Sequence, residues 1–334
     1  MPRLAVLTVL FILVAAVPVS QAQMLNEPGQ STATTSGEVQ LYDQAEDQVR
    51  GFISIPDEKL SVLVQPEGRE WREWRQQILP WVIGILFLGM LVAVFAFYFI
   101  RGRITIRGGP SGRKVLRFNG LDRFAHWLTA VSFLLLALTG MALTFGRTLF
   151  IPVFGHGFYS WLAESSIMVH NFLSVPFVIG LVFIIALWVK DNIPNRADWA
   201  WITSMGGLLS KDGKHIEAER FNAGQKAMFW TIVLLGTALV ITGVMMMTPF
   251  AATGVGGMQV VHVIHGILAA VMIAGIVAHI YIGSLGMEGA FDAMGSGEVD
   301  ENWAREHHGA WYKEKVQKGH ADSSVGRQHP APGE

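Results

Sequence analysis

The chain has 334 residues, of which 51% are hydrophobic and 15% charged, and its mean hydropathy is +0.39. A soluble domain carries nearer a quarter charged residues, so these values point to a membrane protein; the net charge of −1 identifies no partner, and nucleic acid is not expected among them. There is no cysteine, which excludes a disulfide, a thiolate-held iron–sulfur cluster and a thioether-linked c-type haem within this chain. If it handles electrons it must use haem or flavin, and any iron–sulfur cluster feeding it belongs to another subunit.

Residues 1–22 read as a secretory signal: Arg3 supplies a positive start, Leu4 to Val17 the apolar core, and Ser20-Gln21-Ala22 a small-x-small cleavage pattern. The apolar core is short for a span, so cleavage before Gln23 is expected, with an uncleaved anchor as the alternative. Residues 23–77 are polar, with alternating stretches at 53–55 and 60–64 punctuated by Pro56, Pro66 and Gly68, which predicts short strands or an extended arm. Trp71 and Trp74 then read as an interfacial aromatic belt.

Residues 78–100 are uncharged and long enough to span, and 101–124 form a basic linker. Four further spans are expected at about 125–145, 165–189, 227–247 and 259–285, the last two separated by Pro249 and a glycine-rich stretch. The expected fold is therefore an all-α integral membrane protein. A four-helix bundle over 125–287 is joined by one extra N-terminal helix, and a polar tail follows over 288–334.

Orientation follows from lysine and arginine. The linker holds Arg101, Arg103, Arg107, Arg113, Lys114, Arg117 and Arg123, and the loop over 190–226 holds Lys190, Arg196, Lys211, Lys214, Arg220 and Lys226. The loop after the second span has only Arg147. The positive-inside rule puts the linker, the 190–226 loop and the tail in the cytoplasm and the arm in the periplasm, as an exported N-terminus followed by an odd number of spans also requires.

Four histidines lie in the apolar segments and bear on function. His265 and His279 share one helix, fourteen residues apart. At about 100° per residue they fall within about 40° of the same face, and at 1.5 Å per residue they stand about 21 Å apart along the axis, most of the hydrocarbon thickness. In the expected topology His126 lies at the cytoplasmic start of its span and His170 near the periplasmic start of its own. Depth alone pairs His126 with His279 and His170 with His265, the arrangement expected of two b-type haems stacked across a membrane. Bis-imidazole ligation favours outer-sphere electron transfer. A histidine-lined metal transporter or sensor is the rival of another class.

His262 falls roughly 100° off the shared face and is expected at the interface or against a propionate. His156, His215, His307, His308, His320 and His329 lie in loops or tail and are expected to be solvated. Gly140 and Gly266 could admit a macrocycle or serve helix packing. Arg123 could pair with propionates or act as a plain charged anchor.

The segments Leu121-Asp122-Arg123-Phe124-Ala125-His126-Trp127, Asp191-Asn192-Ile193-Pro194, Arg220-Phe221-Asn222-Ala223-Gly224-Gln225-Lys226 and His279-Ile280-Tyr281, with Trp303-Ala304-Arg305-Glu306-His307-His308 and Trp311-Tyr312, resemble the gamma subunit (cytochrome b556) of membrane-bound respiratory formate dehydrogenase over about residues 115–315. The N-terminal arm and extra span resemble the longer proteobacterial form. The resemblance implies a subunit of the bacterial inner membrane with two haem b groups ligated by His126, His170, His265 and His279. It also implies a quinone pocket, for menaquinone or ubiquinone, at Asn222, Gly224 and Gln225 with His279 nearby. Read without the family, that stretch is a helix-start turn. The implied partners, besides membrane lipid, are an iron–sulfur beta subunit and a catalytic alpha subunit, where formate oxidation itself would occur. Related cytochromes serve nickel–iron hydrogenases and thiosulfate reductases; the loop and tail motifs favour formate dehydrogenase, while the histidines alone do not discriminate.

Overall fold

The computed structural model describes residues 66–204, 218–248 and 253–315. The signal segment, the arm up to residue 65, Lys211, Lys214, His215, Pro249, His320 and His329 lie outside the described residues.

Among the described residues, five helices are long and apolar enough to cross a membrane. Helix α1 (Pro66–Glu73) continues through a π-helical turn (Trp74–Ile78) into α2 (Leu79–Arg101). Residues 66–77, expected as part of an extended arm, are thus helical. Proline is accepted in a first helical turn, and α1 packs against the fifth span, where Trp71 meets His262 edge to face at 5.9 Å. The second and third spans are α3 (Gly120–Leu149) and α4 (Ile151–Trp188), both longer than hydropathy marked. The start of α4 is broken by Gly155, whose φ of 80° is open to glycine at little cost. A 3₁₀ turn (Val189–Asn192) and α5 (Arg196–Thr203) lead towards α6 (Ala223–Met247). Helix α7 (Val255–Tyr281) then ends in a π-helical turn (Ile282–Gly286).

Helix α3 packs along α4 and α6 along α7, the two hairpins meet through α4 and α6, and α2 lies outside them against α7. Lipid tails are as apolar as leucine, so packing rather than escape from water selects this arrangement. Small residues permit it. A Cβ on Gly180 would stand 2.3 Å from Thr129 Oγ1 and 2.9 Å from its backbone nitrogen, so α3 and α4 cross here only because α4 has a glycine. A Cβ on Gly266 would come within 2.7 Å of Leu79 Cδ2, so this glycine admits α2. The middle of the bundle is filled by Phe133, Phe177, Leu181, Leu239, Met272 and Ile273.

At one end the linker, residues 190–204 and 218–222, and the tail as far as residue 315 fold together into a cap. Strand β1 (Lys114–Leu116) pairs antiparallel with β2 (Glu298–Asp300), and Ile104 bridges Met287. Between and after these lie α8 (Asp292–Gly295), α9 (Glu301–His307) and a helical stretch over 309–315. Gly297, at φ 91°, accepts from Arg117 and Phe118 backbone N–H groups at 2.9 and 3.1 Å, and a Cβ there would lie 2.5 Å from Phe118 O. Only glycine fits.

The cap is clasped to the bundle by the segments that carry the family resemblance. Asn119 and Asp122 form a capping box at the start of α3. Buried Asp122 also accepts from Trp188 Nε1 at 2.7 Å and pairs with Arg220 at 3.2 Å, while Arg220 reaches Asp191 at 2.7 Å. Asn192 donates to Trp188 O and accepts from Trp230 Nε1, both at 2.9 Å. Buried Lys226 bonds Asp198 at 3.0 Å and Ile193 O at 3.2 Å. Arg117 lies over the rings of Phe118, Trp303 and Trp311 at 5.1 to 5.4 Å and donates to Arg220 O at 2.8 Å.

One expectation is corrected here. His308 is not solvated but 1% exposed, with Nδ1 2.7 Å from Glu219 O. Burial, reinforced by the Arg117 charge, holds it well below the usual imidazole range. Arg123 spends its guanidinium on Ser296 O and Met294 O, at 3.0 and 3.4 Å, because the folded tail lies across the start of α3. His156 is exposed, as expected.

Candidate functional site

Helix α7 presents His265 and His279 to two different partners. His279 faces His126 of α3, ring centroids 6.2 Å apart, and His265 faces His170 of α4 at 6.4 Å. The four histidines therefore meet in the two pairs that depth predicted. The capped end of the bundle holds His126 and His279; His170 and His265 lie towards the opposite end.

The separations carry chemical meaning. Metal–imidazole bonds of about 2.0 Å, with roughly 1.1 Å more from each nitrogen to its ring centre, put two imidazoles on one ion at about 6.2 Å between centroids. Both pairs match that spacing without touching. Among the described residues no group of three or more His, Cys, Asp or Glu could hold a metal. An ion between either pair thus receives two nitrogens from the protein, a donor set that suits a metal whose remaining ligands come from a macrocycle. The apolar bundle around the pairs lowers the dielectric and shields an electron carrier from water.

The surroundings of the two pairs differ. His170 Nδ1 lies 2.8 Å from Thr139 Oγ1, and His265 Nδ1 lies 2.8 Å from Thr242 Oγ1. Each threonine precedes a glycine, Gly140 or Gly243, whose missing Cβ would stand 3.6 Å from the Cε1 of the same histidine. These residues escaped the reading of the sequence, apart from Gly140. The repeated Leu138-Thr139-Gly140 and Ile241-Thr242-Gly243 at matching depth is the signal that could have found them. At the capped end His126 Nδ1 is buried and has no hydrogen-bond partner. There Trp127, edge to face with His126 at 5.1 Å, donates its Nε1–H to Met294 O at 2.9 Å, fixing the tail beside the ring.

His262 points off the paired face, as its register predicts. It meets Trp71 of α1, over which Arg75 stacks at 5.3 Å.

Asn222, Gly224 and Gln225 sit at the start of α6, at the capped end. Asn222 Oδ1 accepts from Gln225 N at 2.9 Å and Gln225 Oε1 from Asn222 N at 3.1 Å, a capping box of the kind a helix-start turn predicts. A Cβ on Gly224 would stand 2.9 Å from Trp201 Cη2, so the indole from α5 rests on this glycine. A shallow, open depression borders Asn222, Trp201, Asn195 and Asp198.

A profile of the prokaryotic cytochrome b561 family matches residues 117–297, which contain all four paired histidines. The nitrate-inducible formate dehydrogenase cytochrome b556(Fdn) subunit of Escherichia coli (strain K12) is 30% identical over 215 residues, 61% of this chain and 93% of the relative. The formate dehydrogenase cytochrome b556 subunit of Haemophilus influenzae is 26% identical over 213 residues, 61% of this chain and 84% of the relative. The cytochrome b556(fdo) subunit of E. coli K12 is 26% identical over 208 residues, 60% of this chain and 92% of the relative.

Proposed function

Because this chain belongs to the prokaryotic cytochrome b561 family, among the cytochrome b556 subunits of formate dehydrogenase, we propose that it holds two b-type haems and passes electrons from formate across the membrane to quinone. One haem would sit between His170 and His265, the other between His126 and His279. The single observation that carries the reading is the pair of imidazole–imidazole separations, 6.4 and 6.2 Å, built from one face of α7. A haem held by such a pair of histidines would supply a one-electron ferric/ferrous couple suited to electron transfer.

The residues of the chain divide the work. The histidines hold and orient; Phe133, Phe177, Leu181 and Met272 fill the space between the pairs and exclude water. The cap, assigned to the cytoplasm by its basic linker, closes the His126/His279 end. At the start of α6 the two amide oxygens are committed to the helix, which leaves the Asn222 and Gln225 NH₂ groups as donors to a quinone oxygen. Trp201 over Gly224 offers an aromatic wall for the quinone ring, menaquinone or ubiquinone. An iron–sulfur subunit and a catalytic subunit, both periplasmic, would complete the complex. Negative charge then moves inward, and each elementary charge crossing about 100 mV corresponds to roughly 2.3 kcal/mol.

Pyridine haemochrome assay of the purified complex should give two haems per chain, and a clean value of one sinks the pairing. A periplasm-active reporter fused after Gln65 should work and one at Gly109 should not; the reverse pattern overturns the orientation. Substituting Gln225 should impair quinone reduction while haem reduction by formate continues.

A further inference from the structure

The hydrogen bonds of the two threonines determine which nitrogen of each histidine is free. A hydroxyl has one proton. Thr139 Oγ1 lies 2.8 Å from Leu135 O and 3.0 Å from Leu136 O, and Thr242 Oγ1 lies 2.8 Å from Ala238 O and 3.1 Å from Leu239 O. Carbonyls only accept, so each threonine proton is directed back into its own helix. Towards the histidine the oxygen therefore presents a lone pair, and the 2.8 Å contact is His Nδ1–H donating to Thr Oγ1. Both His170 and His265 are thereby held as the Nδ1–H tautomer, with Nε2 bare. The following glycine keeps the space beside each Cε1 open.

The same device occurs twice, once in each hairpin, on both histidines of one pair. His126, in the other pair, has a buried Nδ1 without a hydrogen-bond partner. A ligand imidazole whose distal N–H is bonded to an acceptor is the stronger electron donor to its metal, and stabilises the ferric state.

We propose that Thr139 and Thr242 are positioning residues that lower the potential of the haem between His170 and His265 relative to the one between His126 and His279. Electron transfer, oxidising the first haem and reducing the second, then runs downhill towards the capped end. The inference rests on the two-haem reading above and adds to it the origin of the direction.

The test is a redox titration of the purified holo-complex, following the two haems by their visible spectra. Thr139→Val and Thr242→Val remove the acceptor at nearly constant shape; Thr139→Ser and Thr242→Ser retain it. Thr231→Val is the control, since Thr231 is half-buried on α6 and bonds Ala227 O in the same backbone fashion. Each valine variant should keep two haems and raise the lower midpoint potential alone. A tenfold loss in the equilibrium favouring transfer to the second haem reads as a shift of about 59 mV. The serine variants and the control should match the parent. Should a valine variant lose one haem while its serine counterpart keeps both at parent potentials, the hydroxyl is again shown to hold the ligand. Unchanged potentials with both haems present overturn the proposal, as does a shift of the higher potential, or loss of haem from valine and serine variants alike. A parent complex with a single haem would instead refute the two-haem reading beneath it.

Discussion

The two ends of the bundle solve the same problem by different means. At the end of His170 and His265, the supporting groups are threonines one helix away, at short spacing in a repeated pattern. At the end of His126 and His279, support comes from segments distant in sequence: the tail residue Met294 receives Trp127, and the loop residue Arg220 pairs with Asp122. One site is stiffened from inside the helices and the other is enclosed by a folded cap. The comparison teaches that a membrane helix can orient a ligand locally only where its neighbour offers a side-chain acceptor. At the water-facing end a tertiary clasp takes over.

The largest expected effects separate the ends outright. His126→Ala and His279→Ala should remove the same haem and spare the other; His170→Ala and His265→Ala should remove the second. Spectra in which His126→Ala and His265→Ala lose the same component would break the pairing. Next is Asp122→Ala, which deletes a cap residue and leaves Arg220 and Trp188 without their buried acceptor. Breaking a buried pair costs about 3–5 kcal/mol when the remaining charge has no other partner, and less is expected here because Arg220 keeps Asp191 at 2.7 Å. Thermal unfolding should shift markedly, with protease nicking concentrated after residue 287, while the His170/His265 haem keeps its spectrum. Gly297→Ala should cost about 1–3 kcal/mol by forcing a Cβ into a positive-φ turn against Phe118 O, with the same confinement to the capped end. Equal damage at both ends would show that cap and bundle are one cooperative unit.

Acidification is a gentler probe. In the unfolded chain His308 gains a proton below about pH 6.5, whereas in the cap burial keeps it neutral. The unfolded state then binds more protons, so stability is intact above pH 6.5 and falls on acidification, by up to about 1.4 kcal/mol per pH unit. Denaturation midpoints measured from pH 7 to 5 should fall in the parent and fall less in His308→Asn. A parent midpoint flat over this range would show that His308 is not buried neutral. The smallest effect is expected for His262→Ala, which removes one ring contact with Trp71, worth about 0.5–1.5 kcal/mol, and should leave both haems in place. Loss of a haem here, with none lost from His265→Ala, would mean that the register of α7 differs.

Reading the sequence by period and charge found what is periodic. The spans, the histidine depths, the shared face of α7 and the off-face position of His262 all follow from 100° and 1.5 Å per residue, which a membrane helix obeys because its backbone must satisfy itself. Helix ends were less legible. α6 begins at Ala223 rather than 227 because the Asn222–Gln225 box starts it among polar residues that a hydropathy window passes over. The Thr139 and Thr242 contacts went unread for another reason: threonine within a span is ordinary, its partner histidine lies on another helix, and only the repeated Thr-Gly step hints at the contact.

The sequence by itself determined that five segments among the described residues are apolar and long enough to cross a bilayer, that this chain has no cysteine for redox chemistry, and that four histidines form two layers about 21 Å apart along the axis. Tertiary structure alone decided that the linker and the tail fold together, burying His308 and Arg117. It also decided that Gly266 admits α2 and that one histidine pair has hydroxyl acceptors while His126 has none. The first set depends on patterns within a segment, where geometry is fixed by the helix. The second depends on which side chains from distant segments meet, and no period in the chain encodes that.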